Sequence, residues 1–138
     1  MRFDTSTVVL ASGCFDWLHY GHIRHLKAAS QLGDHLVVAV TKNEYVNKGP
    51  DRPLYDESQR VEMINELRCV DEVLLVKDSL DALVKVKPDI FVKGREYDGK
   101  IQEKDAEYCR KHGIQIAFTD EETYSSTELI NGNRFRRS

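Results

Sequence analysis

The feature that most constrains the fold is a repeated alternation of short apolar, β-branched runs with helical patterns. "TVVLAS" (7–12), "HLVVAVT" (35–41), "DEVLLV" (71–76), "DIFVKG" (89–94) and "IQIAFT" (114–119) read as five strands. Helical patterns at 22–33, 57–70, 79–86 and 103–113 lie between them, as a parallel α/β domain requires. In the first helix Ile23, Leu26 and Leu32 form an apolar stripe, and Gly33 is the expected C-cap. The second should turn Val61, Ile64, Leu67 and Met63 to the core; Pro88 ends the third, and Gly113 caps the fourth. Segment 42–56 is a loop with two prolines, Gly49 and three basic residues. "SSTELING" (125–132) opens a final helix, and 130–138 reads as a frayed basic tail. A length of 138 residues suits one domain over 1–138. Right-handed crossovers would wind it into a single Rossmann-like, doubly wound domain, a five-stranded parallel sheet with helices on both faces.

Composition narrows the partners. A net charge of -3 speaks against a general nucleic-acid binder, whose basic footprint should dominate. Cys14, Cys69 and Cys109 are odd in number and widely spaced, which fits reduced thiols in a cytoplasmic protein. No apolar segment reaches membrane-spanning length, so neither a membrane nor a signal peptide is expected.

In open parallel sheets ligands collect at the carboxyl ends of the strands, near the switch in strand order. The polar connections after residues 12, 41 and 92 leave such ends. The first, "SGCFDWLHYGHIRHLKAA" (12–29), places His19, Gly21, His22 and His25 where a helix starts. A helix N-terminus has unpaired N–H groups and a partial positive charge, and so attracts anions. Gly13 and Gly21 allow tight turns, and two imidazoles around Gly21 add donors suited to polyphosphate. Two other readings stay open here. The histidines, with Cys14 and Asp16 nearby, would ligate a metal were a second ligand cluster present, or they are plain surface residues. His25, a turn further in, is expected to be structural.

"GCFDWLHYGHIRHLKAASQLGDHLVVAV" resembles the signature region of the cytidylyltransferase-like nucleotidyltransferases, whose pattern is roughly G-x-F-D-x-x-H-x-G-H. Gly13, Phe15, Asp16, His19, Gly21 and His22 match it, and the likeness continues through "DRPLYDESQRVEMINELRCVDEV", "PDIFVKGREY" and "TYSSTELI". The family includes glycerol-3-phosphate cytidylyltransferases and the adenylyltransferase halves of ADP-heptose synthases. The resemblance implies direct in-line attack of an acceptor phosphate on the α-phosphorus of a nucleoside triphosphate, releasing pyrophosphate. His19, His22 and Lys48 would be the catalytic groups, with Arg52 a substitute for Lys48. Gly13, Cys14, Phe15, Asp16, Gly21, Arg60, Ser125, Ser126 and Thr127 would bind nucleotide and phosphate. Lys93, Gly94, Glu96 and Tyr97 would meet the acceptor or the base. Magnesium would travel with the triphosphate rather than sit in a protein cage. A homodimer is expected, with Val70, Leu74 and Leu75 as candidate contacts, and a sugar kinase as a separate or fused partner.

Three departures matter, and the first two choose a branch. "VKGREYDG" carries the VKG and tyrosine of the heptose-type adenylyltransferases rather than an acidic, tryptophan-containing segment. Asp120, Glu121 and Glu122 stand where the glycerol-type enzymes carry an arginine. Cys14 replaces a small or hydroxyl residue. The expectation is therefore transfer from ATP to a phosphorylated sugar such as heptose 1-phosphate. CTP with glycerol 3-phosphate is the alternative. Two other classes are a nucleotide-binding regulatory module without turnover and a metal-dependent hydrolase.

Overall fold

The computed structural model describes residues 6–46, 49, 53 and 55–119. The chain runs β1 (Val8–Gly13), α1 (Tyr20–Ser30), β2 (His35–Thr41), α2 (Glu57–Asn65), β3 (Glu72–Val76), α3 (Ser79–Val86), β4 (Ile90–Gly94), α4 (Glu103–His112), β5 (Gln115–Thr119). Short 3₁₀ turns occupy Asn43–Tyr45 and Arg95–Tyr97. The five strands form one parallel sheet in the order β3-β2-β1-β4-β5. The expected Rossmann-like α/β architecture is what the chain adopts.

The strand sequences are apolar throughout because both faces are covered. Successive residues of a strand point to opposite sides. Val9, Ala11, Val38, Val40 and Val92 pack with Leu26 and Ala29 of α1 and Ile64 of α2. Their neighbours Val8, Leu10, Val37, Ala39 and Phe91 pack with Ala82 and Leu83 of α3 and Cys109 of α4. The first two crossovers therefore build one face, and the last two build the other. Between β1 and β4 the strand order reverses, and the turns leaving these strands diverge to opposite faces. A cleft at the carboxyl edge follows from that topology.

Several details differ from the sequence expectations. Helix α2 ends at Asn65 rather than at 70. The chain must leave it early to lay β3 beside β2, and Asp71 fixes the entry: its N–H donates to the Leu36 carbonyl and its carboxylate accepts the Leu36 N–H at 2.7 Å. Gly33 is not the cap of α1, whose C-cap is Gln31. Gly33 is needed for a close approach, since a Cβ there would lie 2.7 Å from the Thr7 carbonyl oxygen and 2.7 Å from a Val9 methyl. Gly113 does cap α4, in the left-handed region at φ +67°. Of Val70, Leu74 and Leu75, named above as candidate dimer contacts, Val70 is buried in one core, and Leu74 and Leu75 of the edge strand β3 are half-buried and pack against the two cores. Among the described residues no helix is long and apolar enough to cross a membrane.

Gly33→Ala should cost ~2 kcal/mol, because the obstructing atoms belong to the Thr7 backbone and a core valine. Thermal unfolding should show Tm lowered by about 6 °C; an unchanged Tm would contradict the close approach.

Candidate active site

The turn after β1 delivers α1 to the cleft. Phe15 holds a left-handed backbone at φ +49°, and its ring is buried against Gly13. Asp16 is buried as well and accepts the Tyr55 N–H at 3.1 Å, which ties this turn to the loop before α2. His19 is then the N-cap of α1.

Two imidazoles do the capping work that hydroxyl and carboxyl side chains usually do. His19 Nδ1 accepts the Gly21 N–H at 3.0 Å, and His22 Nδ1 accepts the His19 N–H at 3.2 Å. A ring nitrogen that accepts a hydrogen bond carries no proton, so the neutral ring holds its proton on Nε2. Both histidines are thereby set as Nε2–H donors, with that proton on the side of the ring away from the cap. Their ring centroids lie 4.0 Å apart, and the edge of Phe15 meets His22 at 5.5 Å. Burial pushes the His19 pKa below its ordinary value, which keeps the ring neutral. The pair can therefore present two donors to the oxygens of one anion at a helix N-terminus.

His25 has the structural place expected of it. Its Nδ1 lies 2.9 Å from the Thr119 hydroxyl and fastens α1 to the end of β5. Burial lowers its pKa, with Glu96 and Lys93 acting in opposite directions.

The cleft has a volume of about 670 Å³. Gly13, Cys14, Phe15, His19, Gly21 and His22 line one side, and Thr41 and Tyr45 follow from the end of β2. Lys93, Gly94, Glu96 and Tyr97 line the side under β4, so the two groups read separately from the sequence share one cavity. The Lys93 ammonium lies 4.6 Å above the Tyr97 ring and 5.8 Å from Phe91. Burial lowers its pKa, while Asp105, Glu96 and Cys14 act to raise it. A third wall was not foreseen: Lys77, Asp78 and Ser79 from the end of β3, with Gln102 and Lys104 before and within α4. The signal was present in "KDS", a helix cap directly after an apolar strand.

Arg60 does not meet phosphate. It is 0% exposed, and its guanidinium makes four hydrogen bonds inside the protein. Nε donates to the Tyr55 carbonyl at 3.0 Å, Nη1 to the Cys14 and Thr41 carbonyls at 2.8 and 2.6 Å, and Nη2 to Asn43 Oδ1 at 2.8 Å. It clamps the turns after β1 and β2 to the start of α2. Asp16 is likewise held away from the cleft by burial and by the Tyr55 contact, so it positions a loop rather than binding phosphate. Lys48, Arg52, Ser125, Ser126, Thr127, the acidic run 120–122 and the final helix lie outside the described residues. Among the described residues no three His, Cys, Asp or Glu side chains gather into a metal-ligand set. The donors present fit an anion, or an ion that arrives bound to one.

A family model described as cytidylyltransferase-like matches residues 10–132. The chain is 39% identical over 130 residues to the bifunctional protein HldE of Gluconobacter oxydans, covering 91% of this chain and 27% of that one. It is 40% identical over 129 residues to an FAD synthase of Aciduliprofundum boonei, covering 91% of this chain and 85% of that one. The chain thus spans about a quarter of the HldE proteins that it matches. Among solved structures, a lipopolysaccharide core biosynthesis protein from Thermoplasma volcanium superposes with a TM-score of 0.71 at 35% identity. That match covers 86% of this chain and 99% of the other.

Two measurements check the geometry. Arg60→Met leaves the Cys14, Thr41 and Tyr55 carbonyls without their donor and should cost ~3 kcal/mol, lowering Tm by about 10 °C. Stability should also fall as the pH drops below 6.5, the ordinary histidine value, because the unfolded chain then takes up protons that folded His19 and His25 resist. The carboxylates held low, Asp56, Asp78 and Asp81, lose their stabilising contribution only near and below pH 3.8, outside this window. His25→Asn should flatten the Tm profile between pH 6.5 and ~5; an unaltered slope would contradict the assignment.

Proposed function

Because the chain belongs to the cytidylyltransferase-like family and is a nucleotidyltransferase domain, we propose that it transfers an adenylyl group from ATP to a phosphorylated sugar of the heptose 1-phosphate class, releasing pyrophosphate. The observation that carries this reading is the pair of Nε2–H imidazoles at the start of α1, facing the same cavity as Lys93 and Tyr97. The triphosphate lies along the first turn of α1, where the partial positive charge and the two imidazole donors meet its oxygens. As an acceptor phosphate oxygen attacks the α-phosphorus, charge grows on the equatorial and leaving oxygens, and fixed donors stabilise it without reorganisation. Lys93 neutralises the incoming phosphate, and Glu96 and the Gly94 backbone meet its hydroxyls. Lys48, and the hydroxyls of Ser125, Ser126 and Thr127, are proposed to close on the triphosphate from outside the described residues. Magnesium arriving with the triphosphate would supply charge neutralisation for the departing pyrophosphate.

The choice of a sugar acceptor rests on the VKG-x-x-Tyr segment, Lys93 to Tyr97. A second reading has its own support. The FAD synthase match spans most of both chains, and exposed Tyr45 and Tyr97 on the cavity wall offer faces on which a flat flavin ring could stack. In that case the acceptor is the phosphate of flavin mononucleotide.

The test is pyrophosphate release with ATP, CTP, GTP and UTP crossed against heptose 1-phosphate, glycerol 3-phosphate and flavin mononucleotide. Turnover with ATP and the heptose phosphate is expected; exclusive turnover with the flavin selects the second reading, and no turnover overturns both. His19→Asn should keep α1 capped and Tm within ~2 °C while slowing transfer ~10²–10³-fold. Equal loss of stability and rate would reduce His19 to a cap.

A further inference from the structure

The plane of the sheet divides the cleft into two sides. Helix α1 packs on the face of Val9, Ala11 and Val92, and its start brings His19 and His22 to the cleft from there. Lys93 faces the other way. It is two residues on from Phe91, which packs with α3 and α4, and the alternation of a strand puts both side chains on that face. The Lys93 ammonium accordingly lies 5.8 Å from the Phe91 ring. The starts of α3 and α4 stand on the same face, and they bring Asp78, Ser79, Gln102 and Lys104 to the cavity that Lys93 lines. The histidines and Lys93 have tasks in the proposed transfer; this wall has none.

The wall is held in place and still has hydrogen-bonding capacity. Asp78 Oδ1 accepts the Asp81 N–H at 2.8 Å, and Oδ2 accepts from the Lys104 ammonium at 3.0 Å. Each oxygen has a further lone pair and the ammonium has two further N–H groups, and both side chains are about half exposed. The Ser79 hydroxyl donates to Asp105, so its oxygen is left to accept. Gln102 precedes α4 without capping it, and its amide brings a donor and an acceptor. Lys77 adds one further donor. Donors and acceptors thus stand side by side, and the charges of Asp78 and Lys104 offset each other. A hydroxyl both donates and accepts, whereas a phosphate only accepts. This wall therefore suits the hydroxyl-bearing body of a ligand whose phosphate lies at Lys93.

We propose that the starts of α3 and α4 form the subsite that selects a polyhydroxylated acceptor: Asp78, Ser79, Gln102 and Lys104 bond its hydroxyls while Lys93 holds its phosphate, and the nucleotide keeps to the α1 side of the sheet. This rests on the proposed function for the identity of the reaction, but not for the binding of the acceptor. A site built to bond hydroxyls discriminates against a ligand that lacks them, because its own polar groups are then left unmet. Gln102 and Lys104 are the members to test, since Asp78 also caps α3 and Ser79 also ties α3 to α4.

The experiment is a titration followed by ¹H–¹⁵N NMR, in magnesium and a non-hydrolysable ATP analogue, with heptose 1-phosphate, methyl phosphate and flavin mononucleotide as probes. Methyl phosphate carries the anion without the hydroxyls. Wild type should bind heptose 1-phosphate at least ~10-fold more tightly than methyl phosphate. Gln102→Ala and Lys104→Met should each lose ~10-fold for the heptose phosphate and less than ~2-fold for methyl phosphate. Both side chains are exposed, so Tm should hold within ~2 °C. In the pyrophosphate assay the acceptor KM should rise ~10-fold, with kcat and the KM for ATP within ~2-fold of wild type. Unchanged affinity for the heptose phosphate in either variant overturns the proposal, as does equal loss for both phosphates, which marks a merely structural role. Tighter binding of flavin mononucleotide than of the heptose phosphate by wild type overturns it too. Pyrophosphate release with an unaltered acceptor KM in the variants would sink this subsite and keep the proposed function; the expected binding pattern without turnover would do the reverse.

Discussion

The site depends on the way α1 begins. Any helix start leaves donors to be satisfied, and serine or aspartate would satisfy them with less bulk. Here His19 and His22 use Nδ1 for that purpose, so the local requirement of the helix fixes the tautomer and orientation of both rings. The donors that remain, on Nε2, are ones that a serine–glutamate box would lack. Structure and chemistry are joined at the same atoms: protonating Nδ1 would break the cap, and burial of His19 opposes that protonation.

The helix start is aimed by a small network of buried polar groups. Arg60 reaches the carbonyls of Cys14, Thr41 and Tyr55, and Asp16 returns from the first of these turns to the Tyr55 amide. The turns after β1 and β2 and the entry to α2 are thus held as one rim. These loops must carry polar backbone past one another near the strand ends, and a five-donor guanidinium fork is well suited to several carbonyls at once. Across the cleft, Asp105 and Ser79 tie α3 to α4, the helices of the opposite face.

Much of this was legible in the sequence. Strands buried on both faces give unbroken apolar runs, and a cap such as Gly113 punctuates the helices, so the order of elements follows from local pattern. The histidine motif is legible because its spacing and its place after a strand both carry physical meaning. Arg60 was misread because residue type suggests phosphate equally well on a surface or in a core, and only packing decides. Gly33 was misread for a related reason: its constraint comes from the Thr7 backbone, distant in sequence. The wall from Lys77 to Ser79 and the buried Asp105 that bonds Ser79 were missed because the crossovers to the far face place them, and no local pattern reports where a crossover ends.

The most direct test of the central claim is the tautomeric state of the two histidines, read by long-range ¹H–¹⁵N correlation NMR on imidazole-labelled protein near pH 7.5. Protonated Nε2 and unprotonated Nδ1 in both His19 and His22 is the result that the capping geometry predicts. A proton on Nδ1 of either ring would contradict it, because that ring would neither cap α1 nor present Nε2–H to a phosphate.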